Sequence, residues 1–115
     1  MKKLTITLLM AMAIASASAQ TAKVRVTSYY AAKGARTANG TKVTDPATQR
    51  LCAVSPDLQK KFPMGEYIVL EGIGKYRIAD KTSKRIKNTI DILIPRSKKA
   101  VTRHNVKATL EYDND

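Results

Sequence analysis

Short apolar stretches with a period of two recur along the chain, separated by turn-forming residues, a pattern of strands. Val24, Val26 and Ser28 alternate with Arg25, Thr27 and Tyr29, predicting a strand that ends at Tyr29-Tyr30. A polar loop follows from Ala31 to Asp45 and contains Thr37-Ala38-Asn39-Gly40, where Asn-Gly is a strong tight-turn signal. Asp45-Pro46 opens a further turn, Leu51 to Val54 reads as a short apolar strand, and Ser55-Pro56-Asp57 interrupts it. Pro63-Met64-Gly65 precedes a strand over Glu66 to Leu70, and Gly72-Ile73-Gly74 turns the chain into another over Lys75 to Ala79.

Lys81 to Asn88 is a basic loop. In the strand Thr89 to Ile94, Ile90, Ile92 and Ile94 share one face, Asp91 and Leu93 share the other, and Pro95 ends the run. Ser97 to Asn105 predicts one or two helical turns, with Ser97 as cap, Ala100 and Val101 facing the core and Asn105 as the stop. Val106, Ala108, Leu110 and Tyr112 then alternate with polar residues in a last strand. About six short strands and one short helix predict an all-β domain closed into a small barrel, which also removes exposed strand edges.

The amino terminus changes the picture of what is folded. Met1-Lys2-Lys3, an apolar run from Leu4 to Ala15 and the small residues Ala17-Ser18-Ala19 have the form of a signal peptide, and the run is too short to span a bilayer. Cleavage after Ala19 is expected, leaving residues 20–115 as one domain that is periplasmic, displayed on the cell surface or secreted. The residue immediately after the cleavage site is Gln20, not cysteine, and no other segment is long and apolar enough to cross a membrane, so no stable membrane anchor is expected. The single Cys52 forms no internal disulfide and reads as a small buried hydrophobe within Leu51-Cys52-Ala53-Val54.

The net charge is +12, and Glu111, Asp113 and Asp115 gather several of the acids at the carboxyl end, so the body is strongly cationic. Such a field attracts polyanions. Export and the lack of a nucleic-acid-binding motif point away from nucleic acid and towards anionic wall polymers. No cofactor or metal is expected, and a monomer is.

Against this basic background Asp80 and Asp91 stand out, eleven positions apart and each embedded in a strand-like apolar run. A carboxylate among isoleucines is costly to bury unless backbone donors, a cation or a chemical role accounts for it. A structural role, accepting backbone N–H groups, and a chemical role both remain open for the pair.

Val26-Thr27-Ser28-Tyr29-Tyr30 followed by Thr37-Ala38-Asn39-Gly40 resembles the start of the rare lipoprotein A family. The second half resembles the three-aspartate domain of membrane-bound lytic transglycosylase A and of several secreted wall proteins. That likeness rests on Ala53-Val54, Pro63-Met64-Gly65, Gly74-Lys75-Tyr76-Arg77-Ile78-Ala79-Asp80, Ile86-Lys87, Ile90-Asp91 and Ala100 in order. The two resemblances together cover about Val24 to Tyr112.

They imply a six-stranded double-psi β-barrel that acts on, or binds, the glycan strands of peptidoglycan. Asp80 and Asp91 match two of the three family aspartates, and Asp57 is the nearest candidate for the remaining one, although Ser55 stands where the family usually has Asp. A lytic transglycosylase needs one acid to protonate the leaving oxygen and then, as base, to take a proton from the sugar's own hydroxyl; a second carboxylate supports it. Asp91 is the expected acid, with Asp80 beside it. Tyr29 and Tyr30 are candidates for stacking on sugar faces, Asn39 for contact from its turn, and Lys81, Lys84, Arg85 and Lys87 for substrate carboxylates.

The chain departs from these families in having Thr41 after the Asn-Gly turn where an acid is usual, no histidine in Leu51 to Val54, and Lys81-Thr82-Ser83 in place of Thr-Gly-Gly. The glycine that usually precedes the loop asparagine is also missing, leaving Lys87-Asn88. These differences keep a second expectation beside catalysis: a non-catalytic, basic glycan-binding or wall-binding module of the expansin type. His104 is expected to be a surface or capping residue.

Overall fold

The computed structural model describes residues 20–113, so the leader expected over residues 1–19 lies outside the described residues. Six strands form a closed barrel: β1 (Thr21–Tyr29), β2 (Leu51–Val54), β3 (Tyr67–Leu70), β4 (Gly74–Lys81), β5 (Thr89–Leu93) and β6 (Thr102–Glu111), in the cyclic order β1-β5-β2-β4-β3-β6. The pairs β1–β5 and β2–β4 are parallel and the other four are antiparallel.

Adding three to each strand number in the first half maps this pairing onto itself. The parallel pair β1–β5 becomes β4–β2, antiparallel β1–β6 becomes β4–β3, and β2–β5 and β3–β6 return to themselves. Two three-stranded halves are thus interleaved about an approximate twofold, with the second strand of each lying parallel to the first strand of the other. This crossing is the double-psi barrel.

The alternation read from the sequence sorts residues between two faces. Val24, Val26, Cys52, Val54, Ile68, Ile78, Ile90, Ile92, Val106 and Ala108 fill the interior, joined by Phe62. Cys52 is fully buried, and its surroundings push its thiol far up, burial being the main cause and the charge of Asp91 the lesser one. That leaves it a core residue without thiolate character. Outside the barrel wall, Leu51, Ala79 and Leu93 form a second small cluster with Val43, and Tyr29 and Ala31 pack against it. Val43 and Ala31 belong to the 31–45 loop, so this cluster is what holds the loop on the outer face.

The short helix lies elsewhere than expected. The only α-helical turn among the described residues is α1 (Pro46–Gln49), where Asp45 accepts from Ala47 N and Pro46 takes the first position. Residues 96–97 are a turn, residue 98 a bend, and β6 already begins at Thr102, so no helix forms over Ser97 to Asn105, and Ala100 is exposed. The asparagine read as a helix stop is instead the hinge of a β-bulge. Asn105 sits at φ 53°, and the β1–β6 register steps from Val24 opposite Val106 to Val26 opposite Arg103. One asparagine with left-handed backbone serves either purpose, and pairing with β1 decides between them. His104 is exposed in that bulge.

Candidate functional site

The registers place four strands side by side at one level. Thr27 of β1 pairs with Asp91 of β5, Asp91 pairs with Ala53 of β2, and Ala53 pairs with Asp80 of β4. Asp80 and Asp91 therefore flank Ala53, two strand spacings or roughly 10 Å apart at Cα. Both face outward for different reasons. Asp91 alternates with the core residues Ile90 and Ile92. Asp80 would share the inward direction of Ile78, but the β2–β4 register shifts between Cys52 and Ala53, and this bulge turns Asp80 to the side of Ala53. Ala53, 4% exposed, is a floor without a side chain tall enough to separate them.

The two carboxylates are held differently. Asp80 Oδ1 accepts backbone N–H bonds from Ala38 at 3.1 Å and from Lys81 at 2.9 Å. It thereby anchors the Thr37–Gly40 turn, which also docks through Asn39 N to Ala79 O at 3.1 Å. Asp91 Oδ1 accepts the Thr27 hydroxyl at 2.8 Å. Burial pushes the Asp91 carboxyl above the usual carboxylate range, and the Thr27 hydrogen bond and the Arg25 charge pull it back only in part. One carboxylate is thus fixed by main-chain donors, and the other is half-buried and inclined to hold a proton.

Tyr29 joins them. Its pKa is driven upward first by burial and then by the charges of Asp80 and Asp91, so its hydroxyl lies within the field of both. That hydroxyl oxygen is buried and, among the described residues, has no hydrogen-bond partner. A buried hydroxyl left unpaired costs about 1–3 kcal/mol, and this one lies within the field of two carboxylates.

The other expected residues are spread more widely. Tyr30 points away from Tyr29: its hydroxyl donates to Lys98 O at 2.8 Å, and the Arg96 guanidinium lies 5.3 Å from its ring centre. The Asn39 side-chain oxygen is used within its own turn, accepting Thr37 Oγ1 and Thr41 Oγ1 at 2.8 Å each and Thr41 N at 3.1 Å. Asp57 lies past the end of β2 and accepts Asn88 N at 3.0 Å. Its carboxyl is held low, because hydrogen bonds from Ser55 and Asn88 and the charge of Lys87 outweigh the opposing effect of desolvation. Lys81 and Lys87 are exposed; Lys81 touches the site through its backbone N–H, and the charge of Lys87 acts on Asp57.

Thr27 and Arg25 are members of the site that the sequence reading did not single out. Both share the outward face of β1 with Tyr29, an alternation visible in the sequence, but their relation to Asp91 depends on a parallel pairing across 64 residues. Beside the site, an open depression of about 430 Å³ runs between Asn39 and Thr41 on one side and Tyr67 and Arg77 on the other, with Leu51 at its base. Arg77 is fixed there by Gly65 O, the Tyr67 hydroxyl and Asp113.

No protein-family model, curated protein or solved structure matches the chain. Among the described residues, no helix is long and apolar enough to cross a membrane, and no three His, Cys, Asp or Glu side chains gather as metal ligands.

Proposed function

We propose that this is an exported wall protein of the three-aspartate and rare lipoprotein A kind, which cleaves peptidoglycan glycan strands by the lytic, anhydro-forming route. The observation that carries the reading is the set Asp91–Ala53–Asp80 on one outward level, with the unpartnered Tyr29 hydroxyl in the field of both carboxylates.

Asp91 is the acid. A carboxyl with a raised pKa keeps its proton into the range where a glycosidic oxygen needs it. Protonation of that oxygen breaks its bond to the anomeric carbon and leaves an oxocarbenium-like sugar. The Asp91 carboxylate then removes the proton of the sugar's own primary hydroxyl, whose oxygen attacks the anomeric carbon and closes the anhydro ring. The proton given up is regained and no water is consumed. Asp80, fixed by two backbone N–H groups, supplies negative charge near the developing cation without having to move. Tyr29 donates to whichever oxygen carries charge.

The cationic body suits a polymer bearing carboxylates, and the depression along Asn39, Tyr67 and Arg77 offers such a polymer a further surface. The test is incubation of the purified mature protein with isolated sacculi, followed by mass spectrometry of the soluble products. Anhydro-muropeptides from wild type and none from Asp91→Asn are expected. Sacculus binding without product, unchanged in Asp91→Asn, would instead establish the non-catalytic binding module.

A further inference from the structure

The barrel has a second concavity that neither aspartate nor Tyr29 lines. It opens at the end where β5 finishes and β2 and β4 begin, has a volume of about 340 Å³, and rests on Ile73, Tyr76, Ile92 and Val101. Ile92 and Tyr76 are the upper layer of the barrel core, 2% and 7% exposed. The rim carries Arg50, Lys98 and Lys99, and no acidic residue lines the cleft. Asp45, which precedes the lining residue Pro46, is engaged by Ala47 N and Thr48 Oγ1 at 3.0 Å each, and Asp91, which precedes Ile92, faces out of the barrel.

Arg50 is built into this rim. Its guanidinium carbon lies 4.6 Å from the centre of the Tyr76 ring, its Nε donates to Lys75 O at 3.2 Å, and neither Nη has a hydrogen-bond partner among the described residues. The guanidinium occupies space that exists because residue 74 is glycine: a Cβ there would come within 2.3 Å of Arg50 Nη2. Arg50 also holds a left-handed backbone at φ 52°, as the residue that ends α1. Arg50 is exposed, and the Tyr76 ring and Lys75 O place its guanidinium at the rim of a cleft whose floor is aliphatic and whose edge is polar, where an anion would meet it.

We propose that this barrel mouth binds a small amphipathic carboxylate of the medium-chain fatty-acid type. The apolar body lies on the Ile73–Tyr76–Ile92 floor, and the carboxylate pairs with Arg50, assisted by Lys98 and Lys99. Charge selects an anion over a cation. The aliphatic floor selects a hydrocarbon body over a peptide, whose buried N–H and C=O groups would need partners that isoleucine and valine side chains do not offer. The volume, at the low end for small-ligand sites, selects a short chain.

The experiment titrates ¹⁵N-labelled mature protein with decanoate, kept below micelle formation, and follows amide shifts. Saturable shifts confined to residues around Arg50, Ile73–Tyr76, Ile92–Ile94 and Lys98–Val101 are expected. Arg50→Gln should weaken binding by about tenfold, the cost of a charged hydrogen bond, while Lys60→Gln, which removes one exposed charge past the carboxyl end of β2, should leave it unchanged. Decyltrimethylammonium should not shift these amides. Because Arg50 ends α1, the Lys98→Gln/Lys99→Gln double variant serves as a second probe that leaves that cap alone, and a clear loss of affinity is expected there too. Shifts scattered over the basic surface, equal losses in Arg50→Gln and Lys60→Gln, or binding of an apolar-ended acetylated peptide in preference to decanoate would each overturn the proposal.

Discussion

Thr27 and Asp91 face each other across the parallel β1–β5 pair, and the Thr27 hydroxyl donates to Asp91 Oδ1 at 2.8 Å. This bond favours the charged carboxylate, so it opposes the burial that raises the Asp91 pKa. Thr27→Val keeps the shape of the side chain and removes the donor. The Asp91 pKa should rise further, stability should fall by about 1 kcal/mol, and the activity that needs a protonated Asp91 should persist to higher pH. Carboxyl-carbon NMR titration of the variant reads the shift directly; an unchanged Asp91 titration would contradict the assignment.

Asp91→Asn should make the protein more stable at neutral pH. The folded state binds the Asp91 proton more tightly than the unfolded chain does. The contribution of Asp91 to stability is therefore most favourable below the ordinary carboxylate value of 3.8 and falls as pH rises from there through the raised folded value. Asparagine carries no such penalty and still offers an oxygen to Thr27. Thermal unfolding of both proteins from acid to neutral pH should show melting temperatures that separate, in favour of the variant, as pH rises. A gain in stability with a loss of turnover is the signature of a residue kept for chemistry.

Asp57 should show the opposite sign. Its carboxyl is held below the ordinary value, so the stability it contributes is present above about pH 3.8 and is lost as pH falls through its lowered value. Asp57→Ala should be less stable than wild type at neutral pH, with the difference closing in acid. The same melting series, run on this variant, separates a turn-capping aspartate from the candidate acid.

Asp80→Ala leaves the N–H groups of Ala38 and Lys81 without their acceptor. A loss of about 1–3 kcal/mol is expected, together with faster amide exchange across residues 35–43, because Asp80 is one of the contacts holding that turn to β4. Asp80→Asn retains an acceptor oxygen and should lose less. Equal exchange rates in wild type and Asp80→Ala would show that the turn is held by its other contacts alone.

Tyr29→Phe removes an oxygen that is buried and unpartnered among the described residues. Stability should hold or rise by up to about 1 kcal/mol. Glycan turnover should fall several-fold, because the ring remains and only the donor beside the carboxylates is gone. A variant with full turnover would reduce Tyr29 to packing.

The strands were legible because alternation and turn residues are local. Ile90, Ile92 and Ile94 face inward and Asp91 and Leu93 outward, as their spacing predicts, and Val106, Ala108 and Leu110 fill the core as read. The failure over Ser97 to Asn105 has a definite cause: the left-handed asparagine that ends helices also makes bulges, and only the distant partner strand β1 decides between them. The outward turn of Asp80 was equally hidden, since it depends on a register shift between β2 and β4. Tyr29 and Tyr30, adjacent and alike in sequence, part to different faces, and only Tyr29 reaches the aspartates. Asn39 and Asp57 carry the polarity of ligand residues, but it is used in hydrogen bonds that hold the fold, within its own turn for Asn39 and to the Asn88 N–H for Asp57.

The central claim, that Asp91 serves as acid and then as base on a glycan strand without water entering the product, is tested most directly by digesting sacculi in heavy-oxygen water. Mass spectrometry of the released muropeptides should show anhydro ends carrying no heavy oxygen at the cleaved bond with wild type, and no released product with Asp91→Asn. Reducing ends labelled with heavy oxygen, or release by Asp91→Asn at the wild-type rate, would contradict it.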